Sequence, residues 1–344
     1  MVESQHQHEV LAHAQELMQH GNHVEAIAYL RRACLEQPLG EYQRLLAQCR
    51  YLAYLAQPPV SAVKAAWPPE VNDVFADVEG VPEIAADRLD SLTLAAGIRH
   101  HGALLVRGLL HDSQAARLVA GIDEALRACE AWRRDDGQAI DPGWYSRLPL
   151  VEGCALAEGR DFGESIGGVW AADSPRMLYE LTEMYEANGV SDTIAGYFGE
   201  RPMLSVGKST LRRVPASQGV ADWHQDGSFM GSEIRSVNVW LSLSHCGEDA
   251  SGLEFLPRRV PAVLPTGSHG ANFYWTVGPG MVEQTAAGVA TVSPVFAPGD
   301  ALLFDHFFLH RTGVPPRISK PRYAIESWFF APSAYPEKQV PLWL

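Results

Sequence analysis

The spacing of apolar residues over the first 57 positions predicts a helical segment. No proline interrupts residues 9 to 37, and the Gly21-Asn22 pair predicts a break between two helices. After the break, apolar residues recur at helical spacing as far as Pro38. The residues that carry this spacing are Ala26, Leu30 and Ala33. A third helix is predicted over residues 41–57.

This N-terminal unit, residues 1–57, resembles one tetratricopeptide hairpin followed by a further helix. An ordinary helical hairpin with coincidental spacing is the alternative. A lone repeat has no neighbouring repeat on which to bury its apolar face. We therefore expect the unit to pack on the main domain, across a homodimer or against a protein partner.

Prolines at 58, 59, 68 and 69 predict a stiff connector over 58–80, and residues 81–344 form the predicted main domain. A strand is predicted within 101–110 and an amphipathic helix over 113–131. Residues 133 to 172 are rich in glycine and lack periodicity, which is unusual in a compact domain and often functional. Ser174 and Gly189 suit the start and end of a further helix.

From residue 203 onward the pattern changes to short β-rich runs separated by Gly, Pro and Asp. They are MLSVGKSTLRRV, SVNVWLSLSH, SGLEFLPRRV, TVSPVFA, ALLFDHFFLH and RYAIESWFF. Because no long helix separates them, an antiparallel sandwich or barrel is favoured over a parallel sheet. The predicted fold class is therefore α+β, a β-barrel core with flanking helices and an N-terminal helical extension.

Charge and composition narrow the functional classes. Lys and Arg number 27 and Asp and Glu 41, so the net charge is 27 − 41 = −14, which argues against nucleic-acid or anionic-membrane binding. No apolar run approaches the ~18 residues of a membrane span, and the sequence MVESQHQHEV lacks signal-peptide features. The five cysteines are scattered without metal-site spacing. We expect a cytoplasmic protein that acts on a small molecule.

The segment DWHQDGSFMG places His224 and Asp226 two residues apart. On a strand such residues point to the same face, so an imidazole and a carboxylate emerge together. One further histidine would complete the two-histidine, one-carboxylate facial triad of non-haem iron oxygenases. Two polar side chains on a strand are the alternative.

A second segment, PGDALLFDHFFLHRTG, leads from Gly299-Asp300 along a predicted strand to His310. Arg322 follows near the start of the next predicted strand, and adjacent antiparallel strands would bring both residues to one end of a barrel. A buried guanidinium there suits a carboxylate, which it can bind through two hydrogen bonds. His306 is the rival third ligand, because it would face the same way as His310 on one strand.

With these motifs together, residues 95–332 resemble the phytanoyl-CoA dioxygenase family of Fe(II)/2-oxoglutarate-dependent oxygenases. The resemblance rests on HGALLVRGLL, WHQDG (223–227), VWLSL (239–243), HRTG (310–313) and Arg322. It implies a double-stranded β-helix, a jelly-roll barrel related to cupins. It also implies Fe(II) as the metal, 2-oxoglutarate as co-substrate and O2 as the oxidant.

The resemblance assigns site residues. It implies that iron is bound by His224, Asp226 and His310. It implies that 2-oxoglutarate is bound by Arg322 and Thr312, in a pocket lined by Gln225 and Trp240. In addition, we take Trp144, Tyr145 and Trp170 as candidates for a substrate lid, with core packing as the alternative, and expect His306 to line the site or the mouth of the barrel.

The sequence also departs from the family. Many members carry Gly-Cys-Leu and then Pro-Gly-Ser-His after the HxD strand, where this chain has SGLEFLPRRV. We therefore infer neither phytanoyl-CoA nor any CoA ester as substrate, and expect a small metabolite, for example of amino-acid or natural-product metabolism. Asp226 fills the position that related halogenases leave open for halide, so hydroxylation or another hydrogen-abstracting oxidation is favoured over halogenation.

Two other functional classes remain as alternatives. The first is a non-catalytic, cupin-like binding or scaffold protein that docks partners through its helical hairpin. The second is a barrel metalloenzyme that does not use 2-oxoglutarate. Completeness of the ligand set disfavours the first, and Arg322 with Thr312 disfavours the second.

Overall fold

The structure is a computed structural model. It describes residues 2–57, 67–135, 141–150, 157–165, 167–217, 219, 221–336 and 339–344. The first part of the predicted connector, residues 58–66, lies outside the described residues. The helices are α1 (Val2–Gln19), α2 (His23–Glu36), α3 (Gly40–Leu55), α4 (Ser91–Ala96), α5 (Asp112–Arg134), α6 (Ala157–Ser165), α7 (Pro175–Ala187), α8 (Val190–Phe198), α9 (Gly227–Met230) and α10 (Pro279–Ala286). The strands are β1 (Glu83–Ala85), β2 (Ala103–Arg107), β3 (Gly168–Trp170), β4 (Met203–Val214), β5 (Ser236–Ser242), β6 (Gly252–Phe255), β7 (Ala301–Phe304), β8 (His310–Gly313), β9 (Arg322–Phe330) and β10 (Pro341–Trp343).

The strands form a major and a minor sheet. The major sheet has eight strands in the order β1-β2-β7-β5-β9-β4-β10, with β3 paired to β4, and the minor sheet is the antiparallel pair β6-β8. Among the strand pairs of the described residues, only β1 and β2 are parallel. The two sheets enclose one apolar cluster, and helices cover the outer face of the major sheet. This confirms the α+β class with a jelly-roll core.

Side chains of each central strand alternate between the barrel interior and the helical layer. On β9, Ala324 and Trp328 pack in the interior cluster, whereas Ile325 and Phe329 belong to the core beneath the helices. Arg322 and Glu326 lie an even number of residues from Trp328, so their side chains point to the same side of the strand, into the barrel interior. The alternation therefore places two charged side chains of β9 inside the barrel. Burying a charge there costs free energy unless it pairs with an opposite charge or binds a ligand.

The N-terminal helices pack on the main domain. Their apolar cluster, which includes Leu30 and Leu46, extends to Tyr179 of α7 and Trp343 of β10. Arg50 is buried and donates to the Trp343 carbonyl at 2.8 Å, while Arg31 pairs with Glu183 at 2.9 Å. The predicted helices and their break are confirmed, and the apolar face is covered by the same chain; the tetratricopeptide resemblance itself stays a prediction.

The structure differs from the sequence interpretation at four places. The run ALLFDHFFLH is two strands, because Asp305 accepts a bond from the Phe307 amide and turns the chain between β7 and β8. Residues of TVSPVFA form only isolated bridges, through Val292 and Phe296. The Gly-rich segment contains helix α6, and α8 was not predicted.

Candidate metal centre

His224, Asp226 and His310 come together at one end of the barrel. One possible ligand atom of each lies within 4.8 Å of the others, and no other such cluster of His, Cys, Asp or Glu occurs in the described part of the chain. Asp226 and His310 are buried. Two imidazoles and a carboxylate at this separation are the donor set of the facial triad.

The backbone fixes two of these residues against each other. His224 and His310 exchange both backbone hydrogen bonds, at 3.0 and 3.1 Å, as an isolated antiparallel bridge. Immediately after this bridge the chain enters α9, whose first turn follows Asp226. The ligand cluster is therefore assembled by main-chain bonds between segments that are distant in sequence.

Hydrogen bonds also orient both imidazoles. Nδ1 of His224 lies 3.0 Å from the Asp222 carbonyl, and Nδ1 of His310 lies 3.0 Å from the Phe308 carbonyl. A carbonyl can only accept, so each Nδ1 carries the proton and each Nε2 keeps its lone pair. This is the tautomer that a metal ion needs.

Asp226 is held by a lysine that sequence analysis did not select. Lys208 of β4 donates to Oδ1 of Asp226 at 2.8 Å, while Oδ2 faces Nε2 of His310 at 3.8 Å. Burial alone would raise the pKa of Asp226, but Lys208 and the two imidazoles more than offset it, and the pKa falls to about 2. Burial, with the neighbouring His224, lowers the pKa of His310 to about 4. At neutral pH the cluster is thus one carboxylate with a neutral His310, which is the form that binds a divalent metal.

Arg322 lies inside the barrel without an acidic partner. Its Nη1 donates to the Gly252 carbonyl at 2.9 Å, Nε has no partner, and no carboxylate lies within 4.0 Å among the described residues. Burial lowers its pKa from 12.5 to about 10. A buried guanidinium with unused donors is suited to an anion, because an unpaired buried charge is otherwise costly.

Thr312 and Trp240 lie around this guanidinium. Thr312 shares a face of β8 with His310, and its neighbour Gly313 pairs with Gly252, which Arg322 contacts. The Trp240 ring centroid is 5.6 Å from the guanidinium carbon of Arg322. The sequence predicts that Arg322 and His310 lie on adjacent strands, and the structure shows that they do not. Arg322 comes from β9 of the major sheet and His310 from β8 of the minor sheet.

Gln225 and His306 are placed differently from the sequence interpretation. Gln225 is fully buried; its amide donates to the Ala262 and Phe307 carbonyls, and its oxygen accepts from the Leu264 amide. Gln225 lies between His224 and Asp226 on an extended segment, so its side chain faces away from theirs. It binds backbone groups of neighbouring segments instead. Both the nitrogen and the oxygen of its amide are engaged in these bonds. The assignment of Gln225 to the co-substrate pocket is corrected accordingly.

His306 is a structural residue and does not compete as a ligand. It is fully buried, with Nδ1 2.8 Å from Ser236 Oγ and Nε2 3.2 Å from the Ser232 carbonyl. Both ring nitrogens are therefore occupied, and burial lowers its pKa. The turn at Asp305 separates it from β8, so it shares no strand face with His310.

The structure does not bring the three lid candidates to the metal ligands. Tyr145 and Trp170 are buried in the core that underlies the helices, and Trp144 packs against it. A hydrogen bond and an ion pair hold this region in place: Tyr145 donates to Glu164, and Arg160 pairs with Asp173 at 2.8 Å. Their packing matches the core role that was the alternative, and the lid assignment is corrected accordingly.

The interior of the barrel carries further charges that have no sequence motif. Arg212 of β4 pairs with Glu326 of β9 at 3.0 Å, and both are about four-fifths buried. Lys208 and Arg212 lie four residues apart on one strand, and Arg322 and Glu326 on another. The alternation of side chains along β4 and β9 is the sequence signal that identifies these four residues as interior.

Four of the five cysteines are described, and each is a buried free thiol: Cys34, Cys49, Cys129 and Cys246. Within the described residues, no helix combines the length and apolar character that crossing a membrane requires.

Comparison with known proteins gives structural likenesses only. No family model and no curated protein matches the sequence. Among solved structures, AviO1 from Streptomyces viridochromogenes Tue57 is 18% identical, with a TM-score of 0.46 over 72% of this chain and 98% of that chain. EctD from S. alaskensis, solved with 2-oxoglutarate and 5-hydroxyectoine, is 16% identical, with a TM-score of 0.47 over 69% and 74%. SnoK, a non-heme alpha-ketoglutarate-dependent carbocyclase from nogalamycin biosynthesis, is 14% identical, with a TM-score of 0.45 over 72% and 86%. Likenesses at this level do not assign a reaction or substrate to this chain.

Proposed function

We propose that the protein is an Fe(II)- and 2-oxoglutarate-dependent dioxygenase that oxidises a small metabolite. One observation carries the proposal: a facial His-Asp-His cluster opens into the same barrel interior as a buried guanidinium that has no acidic partner. A simple metal-binding barrel has no need for the second feature. The resemblance to the phytanoyl-CoA dioxygenase family remains part of this proposal.

The residues have distinct roles in this proposal. His224, Asp226 and His310 would hold the iron. Arg322, with Thr312 beside it, holds the distal carboxylate of 2-oxoglutarate. With O2, the bound iron and 2-oxoglutarate supply an oxidant that abstracts a substrate hydrogen. The apolar interior around these residues excludes water from the reacting groups.

Asp226 favours hydroxylation, or another oxidation that begins with hydrogen abstraction, over halogenation. Its carboxylate occupies the position at which a halide would bind the iron. Lys208 holds Oδ1 of this carboxylate and leaves Oδ2 facing His310. Oδ2 is therefore the carboxylate oxygen of Asp226 that would be available to a metal ion.

The test is anaerobic titration of the full-length protein with Fe(II) and then 2-oxoglutarate, followed by visible absorption, and then succinate release in air during a substrate screen. His310→Ala should lose most of the bound iron, whereas His306→Ala serves as the matched control. His306→Ala can reduce stability through its lost hydrogen bonds, but the folded fraction should still bind iron. Full iron occupancy in His310→Ala, or no effect of 2-oxoglutarate on the iron spectrum, would refute the proposal.

A further inference from the structure

Every exposed aromatic side chain in the described part of the chain lies in one patch. Phe229, Phe273 and Tyr274 are 46%, 57% and 86% exposed. The remaining aromatic side chains that the structure describes are buried or half-buried. Because large apolar side chains are normally buried, a contiguous exposed group of them marks a binding surface.

Trp275 is the centre of this patch. Its ring stacks nearly parallel to Phe273, with centroids 5.8 Å apart and planes inclined by 12°. The Phe229 ring stands at 85° to it, at 6.1 Å. We call Phe229, Phe273, Tyr274 and Trp275 the aromatic rim. It offers ring faces and edges, which are the surfaces that interact with other rings.

The aromatic rim contacts two of the three predicted metal ligands, one of them through a lysine. The Trp275 ring lies 6.0 Å from the ring of His224. On the other side, the Lys208 ammonium lies 4.6 Å from the centre of the Phe229 ring and donates to Asp226 at 2.8 Å. A molecule on the rim would therefore lie beside the metal cluster.

The segment that carries the rim is held in place by specific bonds. Asp222 accepts from Asn272 at 2.7 Å and from Thr276 at 3.2 Å, and the Val277 amide donates to the Trp223 carbonyl at 2.8 Å. The rim is thus tied to the strand that carries His224. Exposed rings on a fixed backbone lose little conformational entropy when a ligand binds, which favours a role in recognition.

We propose that the aromatic rim binds the flat face of a ring-bearing substrate, an aromatic or fused-ring compound, and presents its edge to the metal centre. The assignment of this ligand as the substrate rests on the proposed function. The rings favour a flat ligand over an aliphatic one of equal size, because ring–ring contact adds to the gain from burial alone. The added contact corresponds to about a two- to tenfold change in affinity per ring pair.

The experiment uses full-length protein loaded with Mn(II) and 2-oxoglutarate, so that binding is measured without turnover. The probes are 2-naphthol and its saturated counterpart decahydro-2-naphthol, and their affinities are measured by calorimetry and ligand-observed NMR. We expect 2-naphthol to bind more tightly. Phe273→Ala should weaken 2-naphthol binding by about two- to tenfold, Phe273→Tyr should restore it, and Leu35→Ala, at a 70% exposed side chain of α2, should leave it unchanged.

Equal affinities for the two probes, or unchanged 2-naphthol binding in both Phe273→Ala and Tyr274→Ala, would overturn the proposal. Both side chains are largely exposed, so these variants should fold, and thermal unfolding checks that they do. A protein that binds 2-naphthol through the rim but neither Mn(II) nor 2-oxoglutarate would refute the proposed function and leave the ring-binding surface standing.

Discussion

Replacing Arg322 by methionine should change stability and co-substrate binding in opposite directions. Methionine is unbranched and flexible, so it can follow the course of the arginine stem inside the barrel. It removes the buried guanidinium, which has no acidic partner among the described residues, and with it the bond to the Gly252 carbonyl. The same change removes the proposed anchor for 2-oxoglutarate.

The structure gives the size of both effects. The fall in the pKa of Arg322 from 12.5 to about 10 corresponds to about 3 kcal/mol against the charged form in the folded barrel. Loss of the bond to Gly252 costs about 1 kcal/mol, so the metal-free variant should be more stable than wild type by about 2 kcal/mol. Loss of a desolvated arginine–carboxylate pair costs about 3–5 kcal/mol, which weakens 2-oxoglutarate binding by about two to three and a half decades.

Urea denaturation of the metal-free protein measures the first effect, and anaerobic titration of the Fe(II)-loaded protein with 2-oxoglutarate measures the second. Excess 2-oxoglutarate should raise the unfolding temperature of metal-loaded wild type but not that of Arg322→Met. A variant that is several kcal/mol less stable would show that Arg322 is a structural residue. Unchanged 2-oxoglutarate affinity would remove it from the site.

Three further results are expected. Gln225→Leu should lower the free energy of unfolding by about 2–4 kcal/mol, because it leaves buried backbone groups unpaired, while 2-oxoglutarate affinity stays within twofold; a large loss of affinity with normal stability would restore the sequence interpretation. Removal of residues 1–57 should lower the unfolding temperature and promote association, since it uncovers Tyr179 and Trp343, yet Mn(II) should still bind in calorimetry; a folded truncation without metal binding would contradict this. Gly278→Ala should weaken 2-naphthol binding while Mn(II) binding persists, because the added methyl group would lie 2.2 Å from the Ser268 carbonyl oxygen; unchanged probe binding would show that the rim does not depend on this turn.

Local patterns in the sequence were enough to select His224, Asp226 and His310 as candidate metal ligands, and the structure brings these three side chains together. The two-residue spacing of His224 and Asp226 sets a common face, and the apolar strand before His310 predicts a buried segment. The spacing and the apolar run are both local properties of the sequence, so they do not depend on contacts between distant residues. The lid prediction failed because burial of Tyr145 and Trp170 depends on long-range partners, such as the pairing of Arg160 with Asp173, which no local pattern reveals.

Gln225 and Lys208 show a different limit. Gln225 matches a family position by sequence, yet the residue between two ligands on an extended segment points away from them. Lys208 belongs to no motif, and its role follows only from the register that sets β4 beside the metal ligands. Lys208 could be identified only once the pairing of strands that lie far apart in sequence was known.

The paired bonds between His224 and His310 join main-chain atoms, so they use no side-chain atom that a metal ion would bind. We therefore expect the chain around this site to fold without its metal ion, in contrast to a zinc finger, whose chain is unfolded without its ion. The ligand atoms of this site also cannot rearrange freely to reject an ion of similar size. The Irving–Williams order then predicts that nickel, cobalt or copper will compete with iron whenever they are present. Protein purified from cells should therefore carry whichever of these metals the cells or the purification medium supplied.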